Sequence, residues 1–303
     1  MYKVLGISKQ AVHQHKSREN EYLNKISDLI VQVDQLRKEH PGCGVEKMYE
    51  TLKPDFIGRD KFIEIFMSLG YRVKRMKNYV RTTIPTHLKY PNLIEGMLIH
   101  KPNQVWQSDI TYFHLNGKFY YIVFIIDVYT RKIVGFKVSD NMRAEANISA
   151  LKQAIKNQKN PVNGLIHHSD RGSQYVDKNY LKLLQSNGIA VSMGMKGQDN
   201  AYAERINGTI KNEYLYRWEI NSFNNLQIKL KKAVKHYNEK RKHSSLPESI
   251  SPMDFEKSLL GLYCQKRPKV IIYAEEKNKP FEPSRLIWFM PEKEPQAHIC
   301  PMD

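Results

Sequence analysis

The chain has 303 residues, enough for one large or two to three smaller domains, and its 41% hydrophobic content can build a core. No apolar run approaches the ~20 residues of a membrane span, no charged-then-apolar leader opens the chain, and Cys43, Cys264 and Cys300 lack metal-ligand spacing, which together exclude a membrane-spanning protein and point to a reduced, cytoplasmic protein without a zinc site. The formal net charge of +17 favours a polyanionic partner, and the basic residues cluster: KLKKAVKHYNEKRKH, Lys229 to His243, has only Glu239 as acidic relief and no broad Trp/Phe/Leu face for a membrane surface.

In chain order, YKVLGISKQAVHQHKSR reads as the second half of a helix-turn-helix. Gly6 forms the turn, Ser8 is the N-cap, and Lys9, Gln10, His13 and Gln14 make an exposed face. A DNA-reading role and a purely structural one both fit that pattern. From Tyr22 to Arg37 apolar residues recur at helical spacing, and HPGCG ends that helix. A second helix runs from about Val45 to Lys53, and a third follows Gly58 with Gly70 as its stop. Residues 1–80 thus form a small all-α, basic-edged DNA-binding module, and 81–101, with Pro85 and Pro91, an extended linker.

After Pro102 the period changes to that of strands. VWQSDITYFHL, KFYYIVFIIDVYT and RKIVGFKVS are three strands, the first two joined at Asn116-Gly117, a hairpin turn signal. The middle run is apolar almost throughout, as a central strand covered on both faces should be. AEANISALKQAIKNQ is a helix, GLIHHSD a short buried strand, KNYLKLLQSNG a helix and IAVSMG a fifth strand. A long helix spans about Asn200 to Arg217, and a basic one Asn224 to Lys242. The fold class is therefore α/β, a mixed five-stranded sheet with helices on both faces, over residues 102–260. In 261–303, VIIYA and RLIWFM either pair as a small β appendage or belong to a loose tail.

Three acidic residues in separate motifs suggest one metal-dependent site: Asp109 in VWQSDITYF, Asp170 in LIHHSDRGSQY and Glu204 in DNAYAERINGTIKNEYL. A carboxylate inside a half-buried strand is costly unless a cation or donor compensates it. Asp170 ends a strand at the open C-terminal edge of the sheet, where ligands of α/β folds bind. On its helix Glu204 shares a stripe with Gly208 and Lys211, along which a phosphate backbone could run. Lys211, Lys196, Arg205, Arg171 and Asn200 are the expected DNA contacts, although Asp199-Asn200 also reads as the cap of the Glu204 helix. Asp127 beside Thr130 and Arg131 reads as a turn residue, and the His167-His168 pair as packing.

At these motifs the chain resembles the B-reading-frame transposases of the IS-three family of insertion sequences, whose catalytic core is integrase-type and RNase H-like. WQSDITYF, DVYTRKIVGF, HHSDRGSQY, SMGMKGQDNAYAERINGTIKNEYL and HSSLPESISPMDF follow that family's motifs in order, over about Trp106 to Phe255, and LRKEHPGCGVEKMYETL resembles its upstream helical module. The resemblance implies that Asp109, Asp170 and Glu204 are a D-D-E triad and Lys211 its basic follower. Thirty-three residues separate Asp170 from Glu204, two fewer than is usual, and the shortfall lies in the MGMKGQDNA loop. The resemblance further implies two Mg²⁺ ions, with Mn²⁺ as a substitute, and cleavage and strand transfer at element ends. Its implied partners are duplex DNA as element ends and target, further copies of the chain in at least a dimer, and an upstream-frame subunit. A domesticated DNA-binding protein and a purely hydrolytic RNase H-like nuclease are the alternatives.

Overall fold

The computed structural model describes residues 8–73, 90–158, 160–194, 197–272 and 288–289. The chain divides into two compact units, Met1–Arg75 and Met76–Asp303.

In the first unit, helices α1 (Lys9–Glu39), α2 (Val45–Leu52) and α3 (Arg59–Ser68) close around Leu29, Val33, Met48, Phe62 and Phe66. Ser8 caps α1 as its sequence position predicts, its Oγ accepting from Ala11 N–H at 3.0 Å. Gly6, the expected turn, lies outside the described residues. The two helical stretches expected after Ser8 and from Tyr22 are in fact one helix of 31 residues. The polar segment between them lacks an apolar period, yet it holds no Gly or Pro to stop the helix, and Glu21 and Lys25 pair across one turn at 2.8 Å.

The second unit is built on strands β2 (Val105–Leu115), β3 (Lys118–Asp127), β4 (Ile133–Ser139), β5 (Ile166–Ser169) and β6 (Ala190–Met193), which follow β1 (Leu98–Ile99). Their order in the sheet is β4-β3-β2-β5-β6, with β4, β3 and β2 antiparallel and β2, β5 and β6 parallel. Asn116 and Gly117 both have positive φ, 50° and 77°, which is why Asn-Gly serves the β2–β3 turn.

The alternation of β3 explains its apolar run. Val123 and Ile125 face α4 (Ala144–Lys156) and α5 (Lys178–Ser186), whereas Ile122, Phe124 and Ile126 face α6 (Ala201–Glu213) and α7 (Phe223–Glu239). Each such fully buried side chain contributes roughly 1.5–3 kcal/mol. Helix α4 lies very close to β4 at Gly135, where a Cβ would meet the Ala150 carbonyl oxygen at 2.3 Å. This mixed five-stranded sheet with helices on both faces is the α/β architecture expected from the sequence.

Two boundaries differ from the sequence reading. Helix α6 stops at Glu213 and continues as a 3₁₀ turn, Leu215–Arg217, and α7 ends at Glu239 rather than Lys242. A second, three-stranded sheet has the order β1-β7-β8, with β7 (Lys269–Ile271) pairing β8 (Trp288–Phe289) antiparallel. VIIYA and RLIWFM therefore do pair, and the end of the expected linker joins them through Leu98 opposite Ile271. Among the described residues no helix is long and apolar enough to cross a membrane.

Candidate active site

Strands β2 and β5 run parallel with Ser108 opposite Ser169 as their last paired residues. Asp109 and Asp170 each follow one residue later, so two neighbouring strands of the sheet carry them at the same level. Asp109 Oδ1 accepts from the Ile110 N–H at 2.9 Å, and Asp170 Oδ1 from the Gly172 N–H at 3.0 Å.

Helix α6 runs alongside β2 in the same direction, and its contacts climb in step with the strand. Gln107 bonds the N–H groups of Tyr202 and Ala203. Asp109 Oδ2 accepts from Asn207 Nδ2 at 2.7 Å, and beyond the helix end Phe113 stacks on Tyr216 of the following 3₁₀ turn with ring centroids 5.6 Å apart. Two residues of strand advance the chain ~6.6 Å and five of helix ~7.5 Å, so the two repeats keep pace. This parallel run brings Glu204, exposed on the first turn of α6, to the side of the sheet that carries Asp109 and Asp170. A carboxylate in the first helical turn is also favoured by the helix dipole.

The three acids feel one another. The Asp109 carboxyl is pushed up to about 8, first by burial and then by the charge of Asp170, with a further push from Glu204. Burial and Asp170 likewise raise Glu204. Lys211, half-buried with its Nζ 5.1 Å from the centre of the Tyr112 ring, is lowered by burial and supported by Asp109.

As the side chains stand, no three His, Cys, Asp or Glu among the described residues are gathered tightly enough to grip one ion. The chemistry of the set nonetheless fits a hard dication. It offers three carboxylates, and beside Asp109 the Oδ1 of Asn207 is a buried oxygen without a hydrogen-bond partner.

The expected DNA contacts are placed unequally. Arg205 is exposed, Arg171 is half-buried with its Nε lacking a hydrogen-bond partner, and Lys196 lies outside the described residues. Asn200 is only 3% exposed, and its Nδ2 donates to the Ser108 carbonyl at 2.8 Å. It holds the N-cap position of α6 but makes no side-chain cap bond, contrary to the sequence reading. The side chain that does meet the first N–H groups of α6 is Gln107; neither it nor Asn207 carries a local pattern that singles it out.

Two expectations hold. Asp127 is a turn residue, its Oδ1 accepting from Thr130 N–H and Oγ1 and its Oδ2 from Asn103 N–H. His167 and His168 are buried, bonded to Tyr180 and Ser192, and burial pushes them down to about 3 and about 4.

Residues 99–198 match a family model described as an integrase core domain, and residues 187–249 match a second model of the same description. The chain is 32% identical over 266 residues to the insertion element IS600 uncharacterized 31 kDa protein of Shigella sonnei, covering 84% of this chain and 97% of that one. It is 31% identical over 221 residues to the transposase for insertion sequence element IS629 of Shigella sonnei, covering 68% and 74%. Among solved structures, the HTLV-2 integrase catalytic core domain in complex with magnesium aligns with a TM-score of 0.41 and 20% identity, over 55% of this chain and 99% of that one.

Proposed function

The chain belongs to the insertion-sequence transposases of the IS-three family, which carry an integrase core, and from that membership we propose that it cleaves DNA at the ends of its element and joins them to a target. The observation that supports the reading most is that Asp109 and Asp170, on neighbouring strands, and Glu204, on α6, lie near enough to raise one another electrostatically. Carboxylates that raise one another in this way would be compensated by bound cations.

Asp109, Asp170 and Glu204 would hold Mg²⁺, which suits a few carboxylates together with substrate phosphate oxygens. A pair of such ions supplies the charge that activates an attacking oxygen and neutralises a leaving one. The residues of the chain do the positioning. Asn207 and the Ile110 N–H fix the plane of the Asp109 carboxylate, and the Gly172 N–H fixes Asp170. Glu204, exposed and on a long side chain, has room to turn toward that pair. Lys211 lies two turns along α6 and offers its ammonium to a phosphate of the bound strand. The nucleophile is water in cleavage and a DNA 3′-hydroxyl in joining.

The basic helical module of residues 1–80 and the lysines of α7 would each bind duplex DNA. Two element ends need two sites, so the working form is a multimer of this chain, with an upstream-frame subunit as a further partner. The test is incubation in Mg²⁺ with a target plasmid and labelled duplexes carrying pre-exposed 3′-hydroxyl element ends. Joined product is expected. Shortened fragments that never join would favour a hydrolytic nuclease, and binding without either product a regulatory DNA-binding protein.

A further inference from the structure

We propose that Gln107 is a positioning residue that ties the Asp109 strand to the start of the Glu204 helix, and so sets the spacing of the carboxylates; the inference rests on the triad reading above. Gln107 lies two residues before Asp109, on the same face of β2, and is 1% exposed. Its amide has donors and an acceptor to place. Oε1 accepts from the N–H groups of Tyr202 at 3.1 Å and Ala203 at 3.4 Å, and Nε2 donates to the carbonyl of Asp199 at 3.0 Å. One side chain from the strand thus satisfies three backbone groups in the five residues that lead into Glu204. The first N–H groups of any helix need partners from outside its own ladder.

The clasp is reciprocal. Asn200, at the N-cap position, sends its Nδ2 to the Ser108 carbonyl at 2.8 Å instead of capping its own helix. A side chain at position 200 would satisfy the helix start just as well if stability were the only need. Taking the cap from the residue two before Asp109 locks the first turn of α6 in register with that carboxylate. The bonds are uncharged, so they fix the geometry without adding charge to a site already crowded with it.

The test uses the full chain with Gln107→Leu, which keeps the bulk and loses all three bonds, and Gln107→Glu, which keeps the acceptor and opposes the Asp199 carbonyl. Three quantities are read: the rate of DNA joining against Mn²⁺ concentration, duplex affinity, and the rise in melting temperature on adding Mn²⁺. Gln107→Leu is expected to melt cooperatively and bind duplex within about twofold of wild type, while joining falls about 100-fold, the cost of a small misplacement of reacting groups. Its half-saturating Mn²⁺ concentration rises and its Mn²⁺-induced melting shift shrinks, with Gln107→Glu in between.

A Gln107→Leu protein with a lower melting temperature but wild-type joining and Mn²⁺ dependence would overturn the proposal, leaving Gln107 a support of the fold alone. Should the leucine variant not fold, Gln107→Glu carries the same test, and wild-type values in it would overturn the proposal equally. A wild type that neither joins DNA nor gains stability from Mn²⁺ would overturn the triad reading together with this one, whereas a Mn²⁺-dependent wild type with indifferent variants would overturn only the role of Gln107.

Discussion

Asn207 donates from Nδ2 to Oδ2 of Asp109 at 2.7 Å, so the helix that carries Glu204 grips the strand carboxylate three residues further on. Replacing Asn207 with Asp removes the donor and sets a fourth negative charge beside Asp109. A hydrogen bond to a charged group contributes ~1.5–3 kcal/mol, so Asn207→Asp should lower the joining rate by roughly 10- to 100-fold at fixed Mg²⁺. The rate of product formation under single-turnover conditions checks this; an unchanged rate would mean that the bond does not orient Asp109.

Asp109 makes the metal-free protein sensitive to pH. Its carboxyl is raised from 3.8 to about 8, so between those values the folded chain holds a proton that the unfolded chain has released. The stabilisation from that proton is fully present below 3.8 and is lost as pH rises through about 8. Asp109→Asn escapes the loss. In EDTA at pH 8.5 the variant should melt several degrees above wild type, on the order of a few kcal/mol, and the two should converge toward pH 4. Mg²⁺ at pH 8.5 should narrow the gap by stabilising the wild type alone. Melting curves from pH 4 to 9 with and without Mg²⁺ decide the matter, and parallel curves would refute it.

Two glycines should respond in opposite ways. At Gly135 a Cβ would lie 2.3 Å from the Ala150 oxygen and 3.0 Å from Ala154 Cβ, so Gly135→Ala overpacks the α4–β4 contact and should cost about 1–3 kcal/mol. At Gly208 the nearest atom to a Cβ is Asn212 Nδ2 at 4.0 Å, so Gly208→Ala should gain roughly 0.5–1 kcal/mol in helix propensity. Chemical denaturation checks both signs. If DNA lies along the Glu204–Gly208–Lys211 stripe, the alanine at 208 will also slow joining while it raises stability.

Lys211 is proposed to meet a phosphate. Lys211→Gln should weaken duplex binding on any sequence and flatten the slope of log affinity against log salt by about 0.9. Fluorescence anisotropy titrations over a range of salt concentrations measure that slope directly. An unaltered slope would keep Lys211 as a partner of Asp109 and Tyr112 only.

Much of the catalytic unit could be read from local pattern. The run KFYYIVFIID has no polar face and forms an interior strand covered on both sides, and Asn116-Gly117 turns it back on its neighbour. The acids stood out because a strand interior is a costly place for Asp109 and a strand end an exposed one for Asp170. Gln107 and Asn207 gave no such signal, being neutral amides whose partners lie 92 to 98 residues away and meet them only once α6 lies along β2. Asn200 misled for the same reason: its position before a helix signalled a cap, but the nearby Ser108 carbonyl claimed its amide. The helical stretches after Ser8 and from Tyr22 read as separate because a solvated helix shows no apolar period.

The most direct measurement is strand transfer in Mg²⁺ by the wild type and by Asp109→Asn, Asp170→Asn and Glu204→Gln, each scaled to its own DNA binding. All three variants should bind duplex DNA like the wild type and form no joined product. Near-wild-type joining by any one of them would contradict the account, because that residue would then lie outside the catalytic site.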